Sequence, residues 1–131
     1  MSVLVGSLPS REGRAALRVA TQECLTRQTD LVVIDGASTN ASAEESADWL
    51  SAVQTAEATL SAAGRSLQHR AGDGDVAQGL VDASEGADAD LIVIGLRRRT
   101  PVGKLLLGSH AQRVLLEAGC PVLAVKADDS D

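Results

Sequence analysis

The chain is poor in aromatic residues and in long apolar runs. Its 131 residues include one Trp and no Phe or Tyr. Proteins that hold single-stranded nucleic acid stack the bases on aromatic side chains, so this scarcity argues against that class. The formal net charge of -6 argues against duplex DNA and anionic membranes as partners, because both are themselves negatively charged. The apolar runs are also far too short to cross a bilayer.

Cysteine and histidine are scarce as well, at two residues each. Cys24 and Cys120 make no disulfide framework, and we expect plain buried thiols in a reducing cytoplasm. His69 and His110 stand apart from any cysteine or acidic cluster with metal-ligand spacing, so the sequence predicts no metal site. We expect no signal peptide, since the chain starts with neither a basic nor a long apolar segment.

What the chain does have is a regular alternation of short apolar runs with amphipathic stretches. Hydrophobic residues make up 44% of it, so the core must be built from Ala, Val, Leu and Ile. The runs at residues 3–6, 31–34, 91–94 and 121–125 are typical of strands buried on both faces, and a more polar strand is expected at 66–70. Strands that alternate with helices predict one domain whose parallel sheet is covered by helices on both faces.

Polar residues mark the starts of four predicted helices. Their predicted caps are Ser10, Ser42, Asp75 and Ser109. In the last helix, Ser109 and Gln112 have the spacing of a capping box. Apolar residues then follow at helical spacing, and we expect them to face the core. They are Ala111, Val114, Leu115 and Ala118.

The segment from the fourth predicted strand to the fifth is the most informative part of the chain. It carries four basic residues in its first half, Arg97, Arg98, Arg99 and Lys104, and no acidic residue occurs between Asp90 and Glu117. A cationic stretch that leads into the start of a helix is where a small anion would bind. The sequence therefore predicts an anion site in the loop 95–109.

The same loop contains glycines at a characteristic spacing. Gly95 is separated by twelve intervening residues from Gly108 and Ser109. These residues match the first glycine and the final Gly-Ser pair of the signature of the universal stress protein family, although Arg98 stands where that signature has its second glycine. The strand opening at Cys120 and the apolar runs at 3–6 and 30–35 are also similar to that family. The resemblance covers essentially the whole chain.

The resemblance implies a Rossmann-like, three-layer α/β/α sandwich. Its sheet would have five parallel strands in the order 3-2-1-4-5, with four helices, over residues 1–126. The acidic tail 127–131 is expected to be disordered. In this order the first and fourth strands are neighbours whose crossovers diverge, so a crevice opens at their carboxyl ends, where open α/β sheets bind ligands.

The resemblance further implies that an adenine nucleotide, ATP or AMP, lies in this crevice. Leu8 stands where many nucleotide-binding members have an aspartate, and Arg98 either blocks the phosphate space, contacts phosphate or is a solvated loop charge. Asp35 either contacts a base or ribose or solvates the strand end. The predicted nucleotide-binding residues are Gly6, Ser7, Leu8, Asp35, Gly36, Ile94, Gly95, Arg97, Arg98, Gly108, Ser109 and His110.

On this basis we expect a bacterial, cytoplasmic regulatory module of the stress response that binds an adenine nucleotide through the 95–109 loop. The alternatives are a dimeric interaction protein of the same family that binds no nucleotide and, third, a weak ATP hydrolase. The resemblance implies a homodimer that pairs through the last strand. No set of nucleophile, base and orienting residue is present, so the chain is not expected to be an enzyme and no catalytic residue is predicted.

Overall fold

A computed structural model describes residues 1–36, 41–72, 74–98, 105–106 and 108–127, with the backbone alone at 97, 98, 105 and 106. Residues 128–131, most of the predicted acidic tail, lie outside the described residues. The strands are β1 Ser2–Gly6, β2 Asp30–Asp35, β3 Leu67–Ala71, β4 Ala89–Arg98, β5 Leu105–Leu106 and β6 Val122–Lys126. The helices are α1 Arg11–Arg27, α2 Ala43–Ala62, α3 Val76–Ser84 and α4 Ser109–Glu117.

The strands form the predicted parallel sheet. Its five parallel members lie in the order β3-β2-β1-β4-β6, which is the expected order 3-2-1-4-5. The sequence did not predict β5, a strand of two residues that pairs antiparallel with the end of β4. The parallel fold is thus confirmed, and a short hairpin extends β4 beyond the sheet's carboxyl edge.

The sheet separates two cores because side chains alternate along each buried strand. Val3, Val5 and Val33 face one core, which α1 and α2 cover. Leu4 and Ile92 face the other, which α3 and α4 cover. All five side chains are at most 1% exposed, and burial of an aliphatic side chain of this size stabilises the fold by roughly 1.5–3 kcal/mol. The three-layer α/β/α arrangement is confirmed.

Three of the four predicted helix caps are confirmed. The Ser10 hydroxyl accepts from the Gly13 N–H at 3.1 Å, and the Ser42 hydroxyl accepts from the Glu45 N–H at 3.1 Å. Asp75 Oδ1 accepts from the Gln78 N–H at 2.7 Å. Each such cap is worth about 1 kcal/mol to helix stability.

The prediction for the start of α4 was wrong by one residue. Gly108 is the N-cap, since its carbonyl accepts the first helical bond from Gln112, and no side chain in the described part of the chain caps this helix. Leu115 does not face the core as expected, because it is 40% exposed, and Val114 is the one buried residue of α4. The short helix packs against α3 and contacts β4, the strand next to the edge strand β6, and its buried stripe narrows to a single residue.

None of the helices in the described part of the chain is both long enough and apolar enough to span a membrane.

Candidate functional site

A cleft of about 430 Å³ opens at the carboxyl edge of the sheet. Its walls are formed where β1 and β4 end and where all four helices begin. The crossovers after β1 and β4 run to opposite faces of the sheet, so neither of the helices that follow fills the space between the two strand ends. The cleft is therefore the crevice that the strand order predicted.

The bottom of the cleft is apolar. Seven side chains both line it and belong to, or pack against, the core under α3 and α4, Ala77 and Ala111 among them, and the five larger ones form the bottom of the cleft. They are Leu8, Val76, Leu80, Ile94 and Val114, and we call them the apolar floor. Their side chains carry no hydrogen-bonding atom, so the floor fits a flat, weakly polar group such as a purine ring face.

One wall of the cleft is the start of α4. Gly108, Ser109 and His110 line it, and both Ser109 and His110 are exposed. The first N–H groups of a helix have no partner within the helix, and here the N-cap residue supplies none from a side chain. The helix dipole adds a partial positive charge at this end. This wall can therefore bind an anion.

The opposite wall comes from the starts of α1 and α2. Ser10 lines it, but its hydroxyl is already used as the cap of α1. Glu12 and Glu45 also line the cleft, each in the first turn of its helix. Their carboxylates repel anions, so in the described part of the cleft an anion is favoured at α4 and disfavoured at this wall.

The structure brings half of the predicted site together. Leu8, Ile94, Gly95, Gly108, Ser109 and His110 all line the cleft. For Arg97 and Arg98 the backbone forms the end of β4. Their side chains lie outside the described part, as do Arg99 and Lys104 entirely, so the predicted cationic loop itself falls beyond the description.

The other predicted residues lie beside the cleft and do not line it. The Ser7 N–H donates to the Ile34 carbonyl at 2.9 Å and so continues the backbone pairing of β1 with β2. Asp35 turns towards β3, where its Oδ2 lies 3.6 Å from His69 Nδ1. The half-exposed Asp35 carboxylate is thus engaged at the far side of β2.

Gly6 and Gly36 have a packing role. Val76, the first residue of α3, lies directly above both, and a Cβ on either glycine would overlap a Val76 methyl group. The Cβ of a residue in place of Gly36 would also lie 2.8 Å from the Val76 nitrogen, which is backbone and has no rotamer to change. These glycines let α3 approach the strand ends closely and so bring Val76 into the apolar floor.

Sequence reasoning missed the residues that the helix starts contribute. Glu12, Glu45 and Ala77 line the cleft, as do Val76 and Leu80 of the apolar floor. A signal for them was present, because the caps of α1, α2 and α3 were predicted and in this fold each helix begins at the carboxyl edge of the sheet. The first turn after each cap was therefore the place to look.

The two cysteines take no part in the cleft as described. Burial raises the pKa of the Cys24 thiol to about 12, with further contributions from Asp30 and Glu23. Burial also raises the pKa of Cys120, which is only half-buried. Both thiols therefore stay protonated at neutral pH. Within the described residues, no group of three or more His, Cys, Asp or Glu side chains is arranged to hold a metal ion.

Comparison with known proteins identifies the family. The model of the universal stress protein family matches residues 1–126. The chain is also 42% identical over 125 residues to a universal stress protein of Mycolicibacterium smegmatis, and the match covers 95% of this chain and 96% of that one. The chain belongs to the universal stress protein family. The signature glycines of this universal stress protein are thus those that line its cleft, Gly95 and Gly108.

Solved structures agree with the fold. A universal stress protein from Archaeoglobus fulgidus is similar with a TM-score of 0.71 and 27% identity, over 96% of this chain and 98% of that one. A structure of the universal stress protein from Archaeoglobus fulgidus in complex with dAMP is similar with a TM-score of 0.67 and 23% identity, over 96% of this chain and 98% of that one. At this level of identity the second likeness concerns the fold alone.

Proposed function

We propose that this universal stress protein binds an adenine nucleotide in the cleft and acts as a cytoplasmic regulatory module of the stress response. The observation that carries the proposal is that one cleft contains both an apolar surface and an anion-binding helix start. The apolar floor lies at the bottom, and one wall is the start of α4, which no described side chain caps. A nucleotide has the matching division into an apolar base and an anionic phosphate.

The size and chemistry of the cleft support this assignment. Its volume of about 430 Å³ lies in the range of small-molecule sites, which is roughly 300–1,000 Å³. A hydrogen bond from a helix amide to phosphate is charge-assisted and is worth about 1.5–3 kcal/mol. The universal stress protein of Archaeoglobus fulgidus in complex with dAMP supports the choice of an adenine nucleotide as the ligand to test first.

Leu8 determines how the base would be held. It is half-buried, packs against the core under α3 and α4, and lines the cleft. Its side chain accepts no hydrogen bond, so in this proposal the base is held by apolar contact with the floor. Binding then depends on phosphate contacts at Gly108, Ser109 and His110 for its orientation.

The proposal is tested by following backbone amide signals during titration with AMP, ATP and sulfate. We expect the amides of Gly108, Ser109 and His110 to shift, because their N–H groups would bind the anion. The second half of α2, residues 54–62, is an internal control, since none of these residues lines the cleft. If the α4 amides stay unmoved at millimolar AMP and ATP, the protein is not a nucleotide-binding module of this kind. Mass spectrometry of molecules released from freshly purified protein would name the natural ligand.

The second candidate is a dimeric interaction protein that binds no nucleotide. The observation that favours it is the apolar surface near the sheet edge, where Leu115 and Leu116 of α4 are 40% and 78% exposed. Leu8 favours it too, because an apolar side chain in the loop after β1 cannot make a polar contact with a nucleotide. A partner-only role would leave the AMP titration without effect, which separates it from the leading proposal.

In either case we propose a homodimer that pairs through β6. This strand pairs with β4 on one side and forms the edge of the described sheet on the other. An unpaired apolar edge invites pairing with a second copy about a two-fold axis. Light scattering at tens of micromolar should give twice the chain mass of 13.5 kDa.

A matched pair of variants tests where the copies meet. Ala124 is an exposed residue of β6, and Ala124→Lys would place a cation on the pairing edge of both copies. We expect this variant to shift the protein towards the monomer. Leu50→Lys changes an exposed residue on α2 and should leave the dimer intact. A monomeric parent, or a dimer that Ala124→Lys leaves unchanged, would contradict pairing through β6.

The regulatory proposal includes no catalytic step. Ser109 and His110 are successive residues of α4, so their side chains point about 100° apart around the helix axis and His110 is not placed to activate Ser109. We expect incubation with ATP to give phosphate no faster than buffer alone. Measurable turnover that is lost in Ser109→Ala would instead favour the weak hydrolase.

A further inference from the structure

Arg113 connects the two helices that stand on the same side of the sheet. It lies on α4, and its guanidinium Nη1 is 3.4 Å from Asp75 Oδ2, the cap residue of α3. The guanidinium also contacts Gln78 Oε1 in the first turn of α3. Its Nε donates to Glu117 within α4 at 3.1 Å. Three acceptors from two helices thus converge on one side chain.

The residues that Arg113 ties together adjoin two sides of the cleft. On α3, Val76 and Ala77 lie between Asp75 and Gln78 and line the cleft. On α4, Ser109 also lines the cleft, one turn before Arg113 and on the same helix face. The Arg113 bridge therefore connects two walls of the cleft. One is formed by α3 and carries apolar floor residues, and the other is the start of α4, which presents its first amide groups.

Besides Arg113, α4 is tied to α3 just after its end, where the Gly119 N–H donates to the Ser84 hydroxyl at 2.9 Å, and its apolar contacts are few. All nine residues of this helix are described, and Val114 is its one buried residue. Ala111 and Ala118 pack against the core but are only half-buried. A helix held by so few apolar contacts can shift along the sheet at low cost, so a polar bridge to its neighbour has a large share in its position.

We propose that Arg113 is a positioning residue of the nucleotide site. By binding Asp75 and Gln78 it sets the distance between the apolar floor on α3 and the amide donors at the start of α4, so that base and phosphate are held at the same time. This inference rests on the proposed function, since it assigns a task within the nucleotide site. Arg113 acts through Val76 and Ser109 and does not line the cleft itself.

The decisive comparison uses Arg113→Met, Arg113→Lys and Glu117→Gln. Methionine keeps the length and helix propensity of the side chain but makes no bridge, whereas lysine restores the charge. Glu117→Gln weakens only the bond within α4 and leaves the link to α3 in place. Because one charge-assisted phosphate contact would lose its alignment, we expect Arg113→Met to raise the Kd for AMP about tenfold. Arg113→Lys should recover part of this loss, and Glu117→Gln should stay within about twofold of the parent.

A second variant removes a contact of the Arg113 bridge on the α3 side. Gln78→Met removes one acceptor, and the double variant with Arg113→Met should weaken AMP binding by less than the product of the two single effects. If Arg113→Met lowers thermal stability while the Kd for AMP stays within twofold of the parent, Arg113 is merely structural and the inference is wrong. That result would leave nucleotide binding itself intact.

Amide hydrogen exchange gives a readout that needs no ligand. We expect Arg113→Met to speed exchange in residues 76–80 and 109–114 but not in α1. If the parent protein binds neither AMP nor ATP, the proposed function fails by itself. Faster exchange confined to the two helices would then still support Arg113 as the residue that positions the cleft walls, and unchanged exchange there would overturn it.

Discussion

Gly95→Ala should destabilise the protein because the surrounding structure leaves no room for a side chain at this position. A Cβ at this position would lie 2.6 Å from the carbonyl carbon of Glu12 and closer still to its oxygen. The obstacle is the backbone of α1, which has no rotamer to change, so the start of α1 must move away from β4. Overpacking of this kind costs about 1–3 kcal/mol, and we expect a value at the upper end.

Gly86→Ala is the matched control for this change. A Cβ there meets its nearest neighbour, the Ala83 carbonyl oxygen, at 3.5 Å, which is ordinary contact. Urea denaturation should give a lower free energy of unfolding for Gly95→Ala with an unchanged m-value, while Gly86→Ala stays within about 0.5 kcal/mol of the parent. If Gly95→Ala also stays within that range, α1 does not approach β4 as closely as described and the explanation of this glycine is refuted.

Three further predictions concern single side chains. Ser10→Ala should lower the free energy of unfolding in urea by about 0.5–2 kcal/mol because it removes the cap of α1, whereas Ser109→Ala should change it by less than about 0.5 kcal/mol because Gly108 is the N-cap of α4. Burial raises the pKa of Cys24 from its ordinary value of 9.0 to about 12, so the unfolded chain releases this proton first and stability should fall above pH 9.0. At pH 10 the parent should lose about 1.4 kcal/mol of its free energy of unfolding through this thiol, and denaturation of Cys24→Ala should not show this loss. Arg98→Gly completes the family signature, and calorimetry should show about tenfold tighter ATP binding if the arginine blocks the phosphate space; weaker binding would make Arg98 a phosphate ligand, and equal binding a solvated loop charge.

Much of the fold follows from the sequence because its strands are buried on both faces. The runs that contain Val33 and Ile92 are continuously apolar, and such runs leave few alternatives to a central parallel strand. The order of the strands does not follow from these runs, since pairing is a tertiary property, and it came from the likeness to a family. The two residues of β5 are too few to show any periodicity, so the hairpin at the end of β4 was not predictable.

The site was less predictable than the fold. The loop residues Gly95 and Gly108 were found because their spacing is visible in the sequence. Val76 and Leu80 belong to the core and also line the cleft. Periodicity reports that a side chain faces inward, and it gives no means to tell a packed core from the bottom of a cleft. The prediction that Leu115 faces the core was wrong for a related reason, because helical spacing does not show that α4 lies near the edge of the sheet.

The two glycines of the signature therefore have different tasks. Gly95 is required by the fold, because α1 begins directly against it. At Gly108 no atom of the described residues lies within 4 Å of a Cβ, and its φ of -66° is open to any residue, so packing against the described part of the chain makes no demand for glycine there. What a side chain at Gly108 would enter is the cleft itself, beside the free amides of α4. A demand for glycine at Gly108 can then arise from a ligand, whereas the demand at Gly95 exists in the empty protein, and a loss of AMP binding without loss of stability is the result expected from a bulky residue at Gly108 alone.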